Sequence, residues 1–163
     1  MTKFFLGLAI VAFTSFCGYV LTKKYRKRKA FFFQLSEFNE RFLSEISYYR
    51  RPINEFISKY TYKGEFDEFL QGYFSNMQEP SALNNVLEDD TFSFLTNEEK
   101  GYVYDYFSML GKGNSESQKA YFSSVKEGLI KLKTLAETDL KRYGDLYVKL
   151  GFLCGLLILI LLL

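Results

Sequence analysis

Residues 115–163, SESQKAYFSSVKEGLIKLKTLAETDLKRYGDLYVKLGFLCGLLILILLL, contain no proline and carry an apolar or aromatic residue every three or four positions: Tyr121, Val125, Leu129, Leu132, Ala136, Leu140, Tyr143, Tyr147 and Leu150. That spacing is the 3.6-residue period of one helix face. Ser115 followed by Gln118 reads as a capping box that opens the helix. The pattern predicts one uninterrupted helix from Ser115 to Leu163, about 70 Å long at 1.5 Å per residue. Its last fourteen residues, Leu150 to Leu163, are uncharged. With Leu146, Tyr147 and Val148 added, and the Lys149 ammonium carried back toward headgroups on its alkyl stem, eighteen residues become available to cross a bilayer.

The other end of the chain mirrors this one. Phe4 to Leu21 is eighteen residues without a charge, about 27 Å as a helix against a hydrocarbon core of about 30 Å. A cleaved signal peptide would show a shorter apolar region and a small-x-small site, and Phe16 before Cys17 does not suit a lipoprotein cysteine. Directly after the span come Lys23, Lys24, Tyr25, Arg26, Lys27, Arg28 and Lys29. Six of these seven residues are cationic, and such a collar stays on the cytoplasmic side. The expected organisation is a transmembrane anchor over 1–21, a cytoplasmic body over 22–149 with its collar at 23–29, and a second membrane segment over 150–163 continuous with the last body helix. Both termini then lie outside.

The body is long enough for one domain with a modest core. It holds 20 Lys and Arg against 19 Asp and Glu, and 14 against 19 once the six collar cations are set aside. An acidic body beside a basic collar suits anionic lipid headgroups, and it argues against a nucleic-acid face. Cys17 and Cys154 both sit within the apolar ends, away from disulfide or metal chemistry. Histidine is absent, which removes the commonest general base and zinc ligand. No cofactor or metal is expected.

Within the body the period is helical almost throughout. Phe31, Leu35, Phe38, Phe42, Ile46 and Tyr49 form one face, opposite Glu37, Glu40, Arg41 and Glu45, and Pro52 marks the break that follows. Ile53, Phe56, Ile57 and Tyr60 form a second face, and Phe66, Phe69, Leu70, Tyr73 and Phe74 a third. Asn76 to Ser81 reads as a loop, followed by a short helix over Ala82 to Leu87. Thr96 with Glu99 fits a capping box before Tyr102, Val103, Tyr106, Phe107 and Leu110, and Gly111 ends that helix. Strand-like alternation is missing. The fold class is therefore all-α: a helical bundle flanked by two transmembrane helices.

Gly111 to Ser115 lacks the spacing of a phosphate loop, and the consecutive Glu88, Asp89 and Asp90 lack that of a calcium loop. Gly151 and Gly155 form a GxxxG pair, and Gly18 gives the first span a matching small residue. In lipid such notches let helix backbones approach.

The ordered combination of Ser93-Phe94-Leu95, Met109-Leu110-Gly111-Lys112, Ser115 to Gln118, and Leu146-Tyr147-Val148-Lys149-Leu150-Gly151 leading into a leucine tail resembles the stage III sporulation protein AB family. Glu45-Ile46-Ser47-Tyr48-Tyr49-Arg50-Arg51-Pro52-Ile53 is similar to that family's Glu-Ile-x-Tyr and Thr-Pro-Leu pattern. Arg51 replaces the usual Thr, and Phe56 stands where a small residue is common. The resemblance implies a component of the feeding-tube channel joining mother cell and forespore, in the mother-cell membrane around the forespore. It also implies a cytoplasmic domain similar to the F domain of the type II secretion platform. Implied partners are a secretion-type ATPase (companion protein AA), other membrane proteins of the channel, and membrane lipid. Exposed polar positions near the Pro52 and Gly111 turns are the candidate partner contacts: Glu45, Arg51, Glu55, Lys112 and Gln118. Two alternatives stand beside this adaptor reading. One is a lipid-surface or signalling module working through the collar, and the other an enzyme using carboxylates such as Asp67, Glu68 and Asp105.

Overall fold

The computed structural model describes residues 2–48, 53–75 and 82–162. They form nine α-helices: α1 (Thr2–Leu21), α2 (Lys23–Tyr48), α3 (Ile53–Lys59), α4 (Gly64–Ser75), α5 (Ala82–Glu88), α6 (Asn97–Ser108), α7 (Ser115–Ser124), α8 (Lys126–Asp139) and α9 (Asp145–Leu162). A 3₁₀ turn covers Asp90–Phe92 and a π-turn Leu140–Gly144. No strand occurs among the described residues, and the fold is all-α.

The chain divides into two compact units, one made of Met1–Lys29 with Thr134–Leu163, the other of Ala30–Lys133. In the first, α1 and α9 pack along each other in antiparallel register. The pairing can be followed through Gly155 beside Val11 and Thr14, Gly151 beside Thr14, Gly18 beside Tyr147, Tyr25 beside Tyr143, and Arg28 beside Asp139. Large side chains on the outer faces, including Phe13, Phe16, Phe152, Leu157 and Ile160, are exposed. A helix pair apolar both at its seam and on its outside is suited to lipid.

The second unit is built on an aromatic core. Phe31, Phe32, Phe38, Phe56, Phe66, Phe69, Tyr106, Phe107 and Phe122 are almost completely buried. Phe38 lies at its centre, with edge-to-face contacts to Phe56 at 5.2 Å and Phe66 at 6.0 Å, and a tilted one to Phe107 at 5.6 Å. Such geometry sets the positive rim of one ring against the negative face of the next. Phe31, Leu35, Phe38 and Phe42 are buried as the helical period requires, and Ile46 is half-buried. Tyr49 and the loop over 76–81 lie outside the described residues.

Local signals act where they were read, with one change. Thr96 caps α6: its hydroxyl accepts from the Glu99 N–H at 3.2 Å, and the Glu99 carboxylate accepts from the Thr96 N–H at 3.0 Å. Gly111, at φ +77°, ends the turn after α6 in the left-handed region where a Cβ would be strained. At α7 the cap is Asn114 rather than Ser115, with its side-chain oxygen accepting from the Ser117 N–H at 2.8 Å. Gln118 instead turns back and donates to the Lys112 carbonyl at 3.1 Å. A short amide oxygen held by an extended backbone is at least as good an N-cap as a hydroxyl, so the helix begins at Ser115 itself.

The expected long helix is present as a 47-residue element, Ser115–Leu161, and it is long and apolar enough to cross a membrane. Its ladder changes twice. At Val125 (φ −79°, ψ −11°) α7 gives way to α8, and at Leu140–Gly144 the chain widens into a π-turn. The first change is held from outside the helix: Asn39 Nδ2 donates to the Phe122 carbonyl at 3.2 Å and the Tyr102 hydroxyl to the Val125 carbonyl at 3.0 Å. Gly128 makes room for this, since a Cβ there would stand 2.6 Å from the Tyr102 oxygen.

Candidate functional site

The first concentration of chemistry lies at the charged end of the α1–α9 pair. Thr22 separates α1 from α2; its N–H and hydroxyl both donate to the Tyr19 carbonyl, at 3.1 and 2.7 Å, so the hydroxyl stays satisfied although the residue is buried. The collar cations Lys23, Lys24, Arg26, Lys27, Arg28 and Lys29 thus fall on the first two turns of α2. Two of them, Arg28 and Lys29, meet acidic residues near the end of α8. Arg28 binds Asp139 at 2.5 Å, while Lys29 and Lys141 share Glu137 at 3.6 Å each. Arg26 donates to the Tyr19 hydroxyl at 3.0 Å, with its guanidinium 4.4 Å from the ring centre. Tyr25 stacks between Tyr143 and Tyr147, at 5.3 and 6.1 Å.

The glycines of the apolar seam form the second feature. A Cβ on Gly18 would stand 2.5 Å from the Tyr147 carbonyl oxygen, one on Gly151 2.5 Å from that of Thr14, and one on Gly155 2.7 Å from the Val11 Cα. All three obstacles are backbone, so they cannot be relieved by a side-chain rotation. Gly7 belongs to the same seam, opposite the Leu159 side chain.

The candidate partner contacts are scattered. Lys112 is exposed on the Gly111–Asn114 turn, which Gln118, Asn114 and Gly113 (φ +82°) make rigid. Gln118 is half-buried with its amide engaged by that turn, and Glu55 is exposed on α3. Arg51 lies outside the described residues. Glu45, read as part of a polar face, is only 3% exposed. It pairs with Lys59 and accepts from the Tyr60 hydroxyl at 3.1 Å, and this interaction raises the Lys59 pKa. Its side chain therefore works inside the bundle, because a carboxylate that finds a lysine and a phenol tolerates burial.

Chemistry of another kind is sparse. Among the described residues no group of three or more Cys, Asp or Glu side chains is placed to hold a metal. Glu68 and Asp105 are exposed, and Asp67 accepts from Gln71 at 2.8 Å.

Sequence reasoning missed the polar centre of the second unit. Asn39 and Tyr106, both 1% exposed, are joined by a 3.0 Å hydrogen bond from the phenol to the Asn39 Oδ1. The available signal was an amide seven residues after Phe32 and three before Phe42, on the face otherwise filled by rings. Burial pushes the Tyr106 phenol well above its ordinary pKa and that of Tyr62 up to about 12.

The family model described as stage III sporulation protein AB matches residues 3–163. No curated protein and no solved structure matches the chain. Ends, glycine seam and bundle thus all fall within one family, and the chain belongs to the stage III sporulation protein AB family, with a role in sporulation.

Proposed function

We propose that the chain is a non-enzymatic, membrane-anchored adaptor of the mother cell–forespore channel, which docks a secretion-type ATPase to membrane proteins of that complex. The observation that carries the reading is one helix, Ser115–Leu161, which supplies both Phe122 and Leu129 to the aromatic core and Gly151 and Gly155 to the apolar seam. A load received by the bundle then has a covalent, hydrogen-bonded route into the bilayer. The antiparallel packing of α1 and α9 is compatible with a membrane hairpin whose collar lies on the side that the charge rule assigns to the cytoplasm, where an ATPase would be met. Family membership supports the setting. Lys112 on its rigid turn and Glu55 on α3 are the outward-facing contact candidates, with Arg51 beside Pro52.

The test is affinity capture of the ATPase, companion protein AA, by the full-length chain extracted from membranes. Capture by the unaltered chain, with loss after Lys112→Glu or Arg51→Glu, is the expected result. Failure of the unaltered chain to capture the ATPase overturns the docking role. Digestion of the central region by protease added outside intact cells overturns the orientation. Insertion of Gly-Pro after Leu140 is expected to stop sporulation while both units stay folded, and normal sporulation would refute the mechanical route.

A further inference from the structure

We infer that the Tyr25–Tyr143–Tyr147 stack and the cations flanking it form a binding surface for the headgroup phosphates of anionic phospholipids. The inference rests on the membrane reading of α1 and α9 but not on the ATPase. The segments that supply this surface, 23–29 and 137–149, hold nine cations: Lys23, Lys24, Arg26, Lys27, Arg28, Lys29, Lys141, Arg142 and Lys149. Three anions, Glu137, Asp139 and Asp145, oppose them. Two of those anions are already engaged, Asp139 by Arg28 and Glu137 by Lys29 and Lys141. Positive charge is left over, and it is placed.

Lys24 Nζ stands 5.0 Å from the Tyr25 ring centre and the Arg142 guanidinium 5.5 Å from that of Tyr143, while those two rings stack at 5.3 Å. One cation comes from the start of α2 and the other from the π-turn, each beside one ring of a tyrosine platform to which α2, the π-turn and α9 contribute. Both are exposed. Extra residues accommodated as π-turns recur at functional positions because they rotate side chains out of the ordinary helical register. Here the turn carries Arg142 and Tyr143 together. The platform sits immediately beyond the glycine seam, where Gly18 meets Tyr147, and therefore at headgroup depth if the seam lies in hydrocarbon. Tyrosines at this depth keep the ring apolar-side and the hydroxyl wet, and a guanidinium binds phosphate through two parallel N–H groups.

The shared chemistry is a phosphate oxyanion, and lipid is the favoured source because the site adjoins the apolar seam. The experiment uses the full-length chain in neutral detergent, offered equal amounts of phosphatidylglycerol and phosphatidylcholine, with bound lipid counted by native mass spectrometry. Preferential retention of phosphatidylglycerol is expected. The preference should fall about thirty-fold in Lys24→Gln/Arg142→Gln, at about one charge's worth of surface attraction per cation removed. It should persist in the charge-keeping Lys24→Arg/Arg142→Lys and in the distant control Lys119→Gln/Lys131→Gln. Equal retention of the two lipids, or an unchanged preference in the Gln pair, overturns the site. Displacement of phosphatidylglycerol by excess inorganic phosphate overturns its assignment to lipid, and loss of preference in the distant control overturns its location.

Discussion

Replacing Asn39 by leucine tests the polar centre of the aromatic bundle. The Asn39 amide donates to the Phe122 carbonyl at 3.2 Å and its oxygen accepts from the Tyr106 hydroxyl at 3.0 Å, with both side chains 1% exposed. Leucine keeps the branch at Cγ but leaves the phenol and the carbonyl without their partner. Each orphaned buried group costs about 1–3 kcal/mol, so the pair costs about 2–6 kcal/mol, and we expect about 3 kcal/mol. For a chain of this size that lowers Tm by about 6–12 °C. Tyr106→Phe alone leaves only the amide oxygen unpaired and should cost about 1–2 kcal/mol. In Asn39→Leu/Tyr106→Phe the broken bond has lost both ends, so the double variant should be more stable than the sum of the singles by about 1–2 kcal/mol. The assay is thermal unfolding of the detergent-solubilised full chain, followed by near-UV circular dichroism of its tyrosines. A Tm within about 2 °C of the unaltered protein for Asn39→Leu, or strict additivity in the double variant, would refute the reasoning.

Gly155→Ile drives a branched side chain against the Val11 Cα, which a Cβ alone would meet at 2.7 Å, and should cost about 1–3 kcal/mol by forcing the helices apart. Disulfide formation in a Gly7→Cys/Leu159→Cys background without the native cysteines reports the separation; undiminished crosslinking would count against the seam. Thr96→Ala removes one half of the α6 capping box and should cost about 1 kcal/mol, whereas Thr96→Gly should cost only a few tenths, both read as Tm. The Tyr62 phenol, pushed up to about 12 by burial, keeps its proton in the folded chain while the unfolded chain loses it near pH 10. The folded state then binds more protons than the unfolded one, so stability falls as pH rises from about 10 to about 12, by up to about 1.4 kcal/mol per unit. Urea unfolding at a series of pH values should show a shallower alkaline decline in Tyr62→Phe, and an identical slope would exclude this phenol as a contributor.

The all-helical class, the Thr96–Glu99 cap and the stop at Gly111 were legible because each depends on residues within one or two turns of one another. The apolar character of both ends and the charge of the collar were read from the same kind of signal: composition along a short stretch sets transfer free energy and helix-face chemistry. The candidate contacts were less legible. Lys112 is exposed as a turn residue should be, but Glu45 is enclosed because Lys59 and Tyr60, fourteen and fifteen residues away, supply its partners. No local pattern announces that pairing.

The sequence by itself determined that this chain makes amphipathic helices between two greasy ends and which end of each apolar stretch carries the charge, since periodicity, caps and hydropathy are properties of neighbours. Only the tertiary structure decided which polar groups go inside and how the helices register. Asn39 reaches Phe122 across 83 residues and Tyr106 across 67, and Gly18 and Gly151 find their backbone partners in the opposite helix. Burying a polar group or bringing two backbones together is favourable only when the distant partner arrives with the right geometry, and that condition is met in space rather than along the chain.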